Sequence, residues 1–230
     1  MKILIVIPAY NEAENIAATV SVLQKECPEY SYVVINDGSR DHTAQVCRER
    51  GYSLIDLPVN LGLAGAFQTG LRYAYEQGFD GAIQIDGDGQ HDPAYISRLL
   101  EEMRFSGSDI VIGSRFKERK KPHSLRMLGN RLLELMVRLT TRQRLTDPTS
   151  GMRLFNRRMI ERFAKNMNYG PEPDTVAYLL RCGAKVTEVQ VEMRERTAGV
   201  SYLNFGRSIL YMLHMCFSIA FIQFFRKREV

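Results

Sequence analysis

Between Gln84 and Pro93 the chain reads Gln-Ile-Asp-Gly-Asp-Gly-Gln-His-Asp-Pro, and Asp86 and Asp88 in it are separated by a single glycine. Two carboxylates so spaced can converge on one divalent cation and leave coordination positions open for phosphate oxygens. The preceding run, Gly81-Ala82-Ile83-Gln84-Ile85, reads as a short buried strand, and Asp92-Pro93 reads as a helix start. The acids therefore fall where a strand gives way to a loop, which is where open α/β sheets bind ligands. An isolated Asp-Gly-Asp is more often a polar turn. Its weight here comes from two further strand ends.

The first strand runs into Pro8-Ala9-Tyr10-Asn11-Glu12, and the second into Asn36-Asp37-Gly38-Ser39, followed by Asp41 and Thr43. Three strands of one sheet would thus deliver polar groups to the same edge, where a nucleotide would sit. Tyr10 can stack on a base, and Asp37 can accept a base N–H. Each loop alone could be a solvated turn with a capping Asp or Ser. Three in register are much less often an accident.

The elements that must hold these groups follow from the hydrophobic pattern. Ile3–Ile7, Tyr32–Ile35, Ser53–Leu57, Ala82–Ile85 and Asp109–Ile112 are short apolar runs expected as strands. Helical stripes lie between them: Ile16, Val20 and Leu23, then Phe67, Leu71, Ala74 and Tyr75, then Ile96, Leu99, Leu100 and Met103. Strand–helix alternation predicts a doubly wound α/β fold, a mostly parallel sheet with helices on both faces. Beyond Gly113 the rhythm changes. Residues 116–123 read as a charged, mobile loop before a long helix, with Leu125, Leu128, Leu132, Leu135 and Leu139 expected to face inward and Arg131, Arg138 and Arg142 to lie on another face. Shorter helices are expected over Arg157–Lys165 and Asp174–Arg181, and a strand over Lys185–Val191.

Bulk properties narrow the classes. The 230 residues suit one large α/β domain or two small ones, and 45% hydrophobic with 25% charged residues is ordinary for a folded domain. Cys27, Cys47, Cys182 and Cys216 are scattered and form no CxxC pair, which argues against a zinc site or a disulfide frame and for a reducing compartment. The opening apolar run is too short for a signal peptide and stops at Pro8, so a cytoplasmic catalytic part is expected. Of the net charge of +5, the segment 115–144 carries ten Lys or Arg against Glu118 and Glu134, a local +8. A basic zone on an otherwise slightly acidic chain implies an anionic partner: nucleic acid, a phosphate ligand or a membrane surface. No helix-turn-helix, zinc or aromatic single-strand pattern accompanies it, which weighs against nucleic acid.

From Ser208 to Phe225 no residue is charged, and Arg226-Lys227-Arg228 follow. As a helix this run would be roughly 27 Å long, just short of a hydrocarbon core of about 30 Å, and it contains Ser208, His214, Ser218 and Gln223. It reads as a C-terminal apolar helix lying in the membrane interface, its basic end on anionic headgroups. A buried helix, a contact with a partner protein and a true span are the alternatives. The division expected is a catalytic domain over 1–203 and a docking helix with a basic tail over 204–230.

In order, Pro-Ala-Tyr-Asn-Glu, Asn-Asp-Gly-Ser-x-Asp-x-Thr, Asn60-x-Gly62, Asp-Gly-Asp-x-Gln-His and Gly113-Ser114-Arg115 resemble the family 2 glycosyltransferases of the GT-A fold, and among them the dolichol-phosphate mannose synthase-like, polyprenyl-phosphate group. The resemblance runs from about Lys2 to Ser201. It implies that Pro8, Ala9, Tyr10, Glu12, Ile35 and Asp37 hold the nucleoside, that Asp86 and Gly87 approach the nucleotide, and that Asp88 and Gln90, with Asp86, bind Mg²⁺ or Mn²⁺. Two departures stand out. The acidic pair of the family at the end of the second strand is Asn36-Asp37 here, and Tyr202 stands where an Arg-x-x-Gly-x-Ser-Lys segment would have its lysine, so that positive charge must come from Arg196 or elsewhere.

The expectation is an inverting, metal-dependent transfer of a hexose from a nucleotide diphosphate sugar, a UDP-sugar in preference, to polyprenyl phosphate at the cytoplasmic membrane face. A phosphate monoester is mostly dianionic at pH 7, with a second pKa of ~6, and needs no general base. It needs cations, for which Arg115 and Arg126 are placed. Asp88, Arg115 and Arg196 are the expected catalytic groups. By the same resemblance Asp147-Pro148-Thr149-Ser150-Gly151 would shape the sugar and acceptor side; a Pro-Gly turn is the equal alternative. An anionic membrane surface and a small membrane protein are the further partners expected. Were the acceptor a sugar hydroxyl on a growing polysaccharide, Glu172 would be the candidate base; Asp174 next to it could be only a helix cap.

Overall fold

Alternate residues of the first strand point to opposite faces of the sheet, and both faces are apolar, so both must be covered. The computed structural model, which describes residues 1–165, 169–194 and 205–225 without the side chains of 125–126, 205–209 and 223, shows how. Strands β1 (Ile3–Ala9), β2 (Ser31–Asn36), β3 (Leu54–Asp56), β4 (Gly81–Gln84), β5 (Ile110–Ser114), β6 (Arg153–Asn156) and β7 (Val186–Gln190) form a seven-stranded sheet in the order β3-β2-β1-β4-β6-β5-β7. Pairing is parallel except at β6, which runs antiparallel to both β4 and β5.

Helices α1 (Ile16–Glu26), α2 (Thr43–Glu49) and α4 (Ile96–Ser106) bring Ile16, Val20, Leu23, Cys47, Leu99 and Leu100 to the face that receives Ile3, Ile5 and Ile7. On the other face Leu4 and Val6 meet α3 (Gly62–Glu76), α5 (Leu125–Thr141), α6 (Arg157–Lys165), α7 (Pro173–Arg181) and α8 (Phe205–Phe217). Phe67, Phe155 and Phe163 meet there with ring centroids 5.2–5.6 Å apart. The chain continues from α8 through a π-helical stretch, Ser218–Ile222, into a last turn α9 (Gln223–Phe225). Met215 and Ile219 are buried in this same core.

The mixed sheet with helices on both faces is the one anticipated, with strand ends moved by one or two residues. Asp92 caps its short helix by accepting the Ala94 N–H at 3.0 Å, with Pro93 next. Two expectations are corrected. The loop 116–123 is tied down: Lys117 Nζ donates to the Glu188 carbonyl, Gln190 Oε1 accepts the Glu118 N–H at 2.8 Å, and Lys121 pairs with Glu134 at 2.7 Å.

The second correction concerns α5. Its leucines Leu128, Leu132, Leu135 and Leu139 are 61, 41, 48 and 68% exposed, not inward. The covered stripe is Met127, Asn130, Leu133 and Val137. The helix carries two apolar stripes, and hydrophobic spacing alone does not say which one the core takes. Asn130 decides it, because its amide donates to Asp147 Oδ1 at 3.1 Å and to Thr149 Oγ1 at 2.8 Å.

Candidate active site

The loops after β1 and β2 interlock before any ligand is considered. Asn11, in the left-handed region at φ 56°, donates its backbone N–H to Ser39 Oγ at 2.9 Å, and its side-chain oxygen accepts the Arg40 N–H at 2.9 Å. Thr43 Oγ1 accepts the Glu12 N–H at 2.9 Å, and Asp41 Oδ2 accepts that of Ala13 at 3.1 Å. Burial pushes the Asp41 carboxyl up, but hydrogen bonds from Thr43 and Ala13 outweigh it and hold the group below the usual carboxylate range. Asp41 and Thr43 are therefore the fasteners of this rim. Gly38 permits the tight fit: at φ +61° a Cβ there would lie 2.5 Å from Asn60 N.

Asn36, the departure from an acidic pair, has a local reason. It is buried, donates its amide to Asp56 Oδ1 at 2.6 Å and accepts from the Ser39 hydroxyl. A carboxylate could accept but could not donate to Asp56. Asp37 is buried as well, with Oδ1 accepting the Leu61 N–H at 2.7 Å at the start of α3. Ile35 is a core residue, so only its backbone could face a nucleoside.

The acidic loop after β4 closes against the first one. A Cβ on Gly87 would lie 3.2 Å from the Pro8 carbonyl oxygen, 3.5 Å from Ala9 Cβ and 3.5 Å from Glu12 Cγ. The Gly87 carbonyl accepts from Thr19 Oγ1 at 3.0 Å. Pro8, Ala9, Glu12 and Gly87 are thus brought together, with Tyr10 half-buried beside them. Asp86 Oδ1 accepts from Gln84 Nε2 at 3.1 Å, and its backbone N–H donates to Nδ1 of the buried His91 at 2.9 Å. That bond places any proton of a neutral His91 on Nε2, 3.8 Å from Asp86 Oδ2. Gly151 lies against the same carboxylate, where a Cβ would come within 2.8 Å of Oδ2. Asp88 Oδ1 accepts the Gln90 N–H at 3.1 Å.

Among the described residues no three His, Cys, Asp or Glu side chains stand close enough to enclose a metal. The donors on offer are Asp86 and Asp88, hard oxygen ligands, with the Gln90 amide close by. Such a half-shell fits Mg²⁺ or Mn²⁺ when a diphosphate supplies the remaining oxygens. The loop's far side is held by Arg194, whose N–H reaches the Gln90 carbonyl at 2.9 Å and whose guanidinium meets Asp92 at 2.8 Å. Arg196, two residues on, lies outside the described residues.

Arg115, at the end of β5, already has a partner. Its Nε and Nη2 meet both oxygens of the fully buried Asp147 at 2.6 and 2.8 Å, and Nη2 also reaches Thr149 Oγ1 at 3.1 Å. Burial raises the Asp147 pKa, and Arg115 more than reverses this, leaving the carboxyl low. Below it Glu188 accepts from the backbone N–H groups of Thr146 and Asp147, at 2.8 and 2.9 Å; burial pushes its pKa up, helped by the charge of Asp147. The residues 147–151 are thereby locked between Arg115 and Asp86. Arg126 falls in the first turn of α5, and its side chain is outside the described set.

Sequence reasoning missed Arg153, Tyr211, Asn130 and Glu188 here. Arg153 is fully buried at the start of β6, opposite Gln84. Glu172, half-buried ahead of α7, accepts from the hydroxyl of Tyr211, and Asn130 and Glu188 build the Asp147 nest. A charge inside Met-Arg-Leu-Phe was the available signal for Arg153, since a strand interior rarely carries an unshared one.

A mostly parallel sheet whose carboxyl edge gathers a tyrosine loop, an Asn-Asp-Gly-Ser loop and paired acids defines a glycosyltransferase of the GT-A type. The chain belongs to glycosyl transferase family 2, whose model matches residues 4–163. It is 32% identical over 222 residues to the undecaprenyl-phosphate mannosyltransferase of Micrococcus luteus, covering 90% of this chain and 89% of that one. To the UDP-N-acetylglucosamine–dolichyl-phosphate N-acetylglucosaminyltransferase of Methanococcus voltae it is 31% identical over 175 residues, covering 67% and 69%. The structure of glucosyl-3-phosphoglycerate synthase from Mycobacterium tuberculosis with Mn²⁺, UDP and phosphoglyceric acid shares the fold, with a TM-score of 0.70 at 16% identity over 96% of this chain and 78% of that one.

Proposed function

We propose that this glycosyltransferase moves a hexose from a nucleotide diphosphate sugar, a UDP-sugar in the first instance, to polyprenyl phosphate at the inner face of the cell membrane, with inversion. The observation that carries the reading is the closure of Gly87 onto Pro8, Ala9 and Glu12 beside Asp86 and Asp88. It leaves one edge at which a nucleoside and its diphosphate fit side by side. Tyr10 stacks on the base; the backbone at Pro8, Ala9 and Ile35 and the groups of Glu12 and Asp37 line the nucleoside. Asp86, Asp88 and Gln90 hold Mg²⁺ or Mn²⁺, which when bound neutralises charge on the departing diphosphate.

Arg115 stands ready at the acceptor side, oriented by Asp147, and Arg126, in the first turn of α5, is the second cation proposed for the acceptor phosphate. One acceptor phosphate oxygen forms the new bond to the anomeric carbon while the bond to the diphosphate oxygen breaks on the opposite face. The nucleoside diphosphate leaves with that electron pair, assisted by Arg196. No proton has to be removed from a dianionic phosphate. Glu172, the base a hydroxyl acceptor would require, is already engaged by the Tyr211 hydroxyl, which favours the phosphate reading.

Among the described residues no helix is long and apolar enough to cross a membrane. Two helices nevertheless expose apolar side chains: Leu128, Leu132, Leu135 and Leu139 on α5, and Leu210, Leu213, Phe217, Phe221, Phe224 and Phe225 along α8 to α9. The exposed Arg131, Arg138 and Arg142 accompany the first set. This combination suits an anionic bilayer surface, or a small membrane protein embedded in one, at which the lipid phosphate is presented. Purified protein incubated with undecaprenyl phosphate, Mg²⁺ or Mn²⁺ and a panel of labelled UDP- and GDP-hexoses tests the reading. Label in a glycosyl-phosphoryl-polyprenol is expected; label only in a polysaccharide, or none, would overturn it.

A further inference from the structure

The match to the family ends at residue 163, yet a carboxylate beyond that point stands close to the rim. Glu172 precedes α7 in extended conformation, just after Gly170, which packs on Ala64 in the first turn of α3, the helix whose start is tied to Asp37; a Cβ on Gly170 would lie 3.0 Å from Ala64 Cβ and 3.6 Å from Glu172 Cγ. From the opposite side Tyr211 of α8 donates its hydroxyl to Glu172 Oε2. Two turns later Ser218 donates to Oδ2 of the buried Asp174 at 2.6 Å. The C-terminal helix therefore grips the first turn of α7 at two points.

Arg153 lies behind this grip. Its Nε and Nη2 go to the carbonyls of Ser150 and Pro148 at 2.8 and 2.7 Å, while the buried Nη1 has no hydrogen-bond partner among the described residues. Burial lowers its pKa, and the charges of Glu172, Tyr211, Asp147 and Asp86 oppose that fall, Glu172 most strongly. Arg153 thus holds the 148–151 segment, whose Gly151 lies against Asp86 Oδ2, while Glu172 is the strongest opposing charge on it. A guanidinium stays charged in a protein. The Tyr211 hydroxyl keeps its proton, because burial and then the negative Glu172 drive its pKa far up. Glu172 is thus a half-buried acceptor, aimed by a neutral donor on Oε2 and a buried cation behind it.

We propose that Glu172 reads the hydroxyls of the transferred hexose and that Tyr211, supplied by the C-terminal helix, is the positioning residue that aims it. The inference rests on the nucleotide-sugar half of the proposed function and is independent of the acceptor. Sugar hydroxyls are donors, and a fixed carboxylate discriminates epimers because a misplaced hydroxyl leaves it unpaired. Selectivity among donors is then set partly by a helix that also carries the exposed apolar surface.

Calorimetric binding to the full chain with Mn²⁺ tests it, using UDP, UDP-glucose, UDP-N-acetylglucosamine and GDP-mannose as probes. Wild-type protein is expected to bind one sugar conjugate more tightly than the bare nucleoside diphosphate. Tyr211→Phe should weaken that conjugate about tenfold and leave affinity for the nucleoside diphosphate unchanged. Glu172→Gln should do at least as much, and the double variant should be no worse than Glu172→Gln alone. An equal loss for conjugate and nucleoside diphosphate, additive effects in the double variant, or a wild type indifferent to the sugar would each overturn the proposal. Failure of transfer to polyprenyl phosphate, with this selectivity intact, would instead overturn the acceptor half of the proposed function.

Discussion

The two halves of the catalytic edge are built on different principles. On the nucleotide side, after β1, β2 and β4, loops are held to one another by backbone–side-chain hydrogen bonds such as Asn11 to Ser39 and Glu12 to Thr43. On the acceptor side, after β5 and ahead of β6, buried charge does the holding: Arg115 on Asp147, Glu188 beneath it, Arg153 at the start of β6. Each of these loops keeps its polar groups in one contiguous stretch on the nucleotide side, which leaves a motif in the sequence. A nest assembled from residues 115, 130, 147 and 188 leaves none, because its members meet only in the folded sheet. The first half is therefore readable from sequence as a whole; of the second, only Arg115 and the stretch from Asp147 to Gly151 are.

Removing the metal-facing acid gives the largest contrast. Asp88→Ala is expected to reduce sugar transfer by about 10² to 10³-fold and abolish stimulation by Mn²⁺, with no loss of thermal stability. The mirror experiment is Asp147→Ala, which strips Arg115 of its counter-charge and should cost about 3–5 kcal/mol of stability in chemical denaturation.

Asp147 also carries a pH signature. Its carboxyl is held low in the fold, so its contribution is complete above the unfolded value of about 3.9 and is lost as pH falls through the folded value. Stability of wild type and Asp147→Asn should accordingly converge on acidification below about pH 4. A difference that stays constant from neutral to pH 3 would show that Arg115 and Asp147 do not form a linked ion pair.

Neighbouring leucines on α5 separate the halves at finer grain. Leu133→Ala should destabilise by about 2–5 kcal/mol, whereas Leu132→Ala should change stability by less than about 0.5 kcal/mol and weaken binding to anionic vesicles. Equal effects would restore the inward leucine face. Asn36→Asp sets two carboxylates against each other at Asp56 and should cost about 1–3 kcal/mol, relieved at acid pH.

The motif half was legible because its chemistry and its spacing coincide: Asp86, Gly87 and Asp88 are adjacent in sequence and in space. The strand–helix order was legible for the same reason, since Ile3 to Ile7 and Leu99, Leu100 and Met103 declare their partners by period. α5 was misread because its exposed leucines are as apolar as its buried Leu133 and Val137, and the choice between them lies with Asn130, a polar residue. Tyr211 was silent, since nothing near residue 211 announces a carboxylate 39 residues upstream.

The reversed strand has a consequence for synthesis on the ribosome. β5 joins the sheet only through β6 and β7, both of which come later in the chain. A nascent polypeptide that has emerged only as far as Ser114 can complete β3-β2-β1-β4, but its Ile-Val-Ile segment has no edge to pair with. Until Arg153–Asn156 arrives, that apolar ribbon must be shielded by other means, and translation pauses within this interval would prolong the exposure.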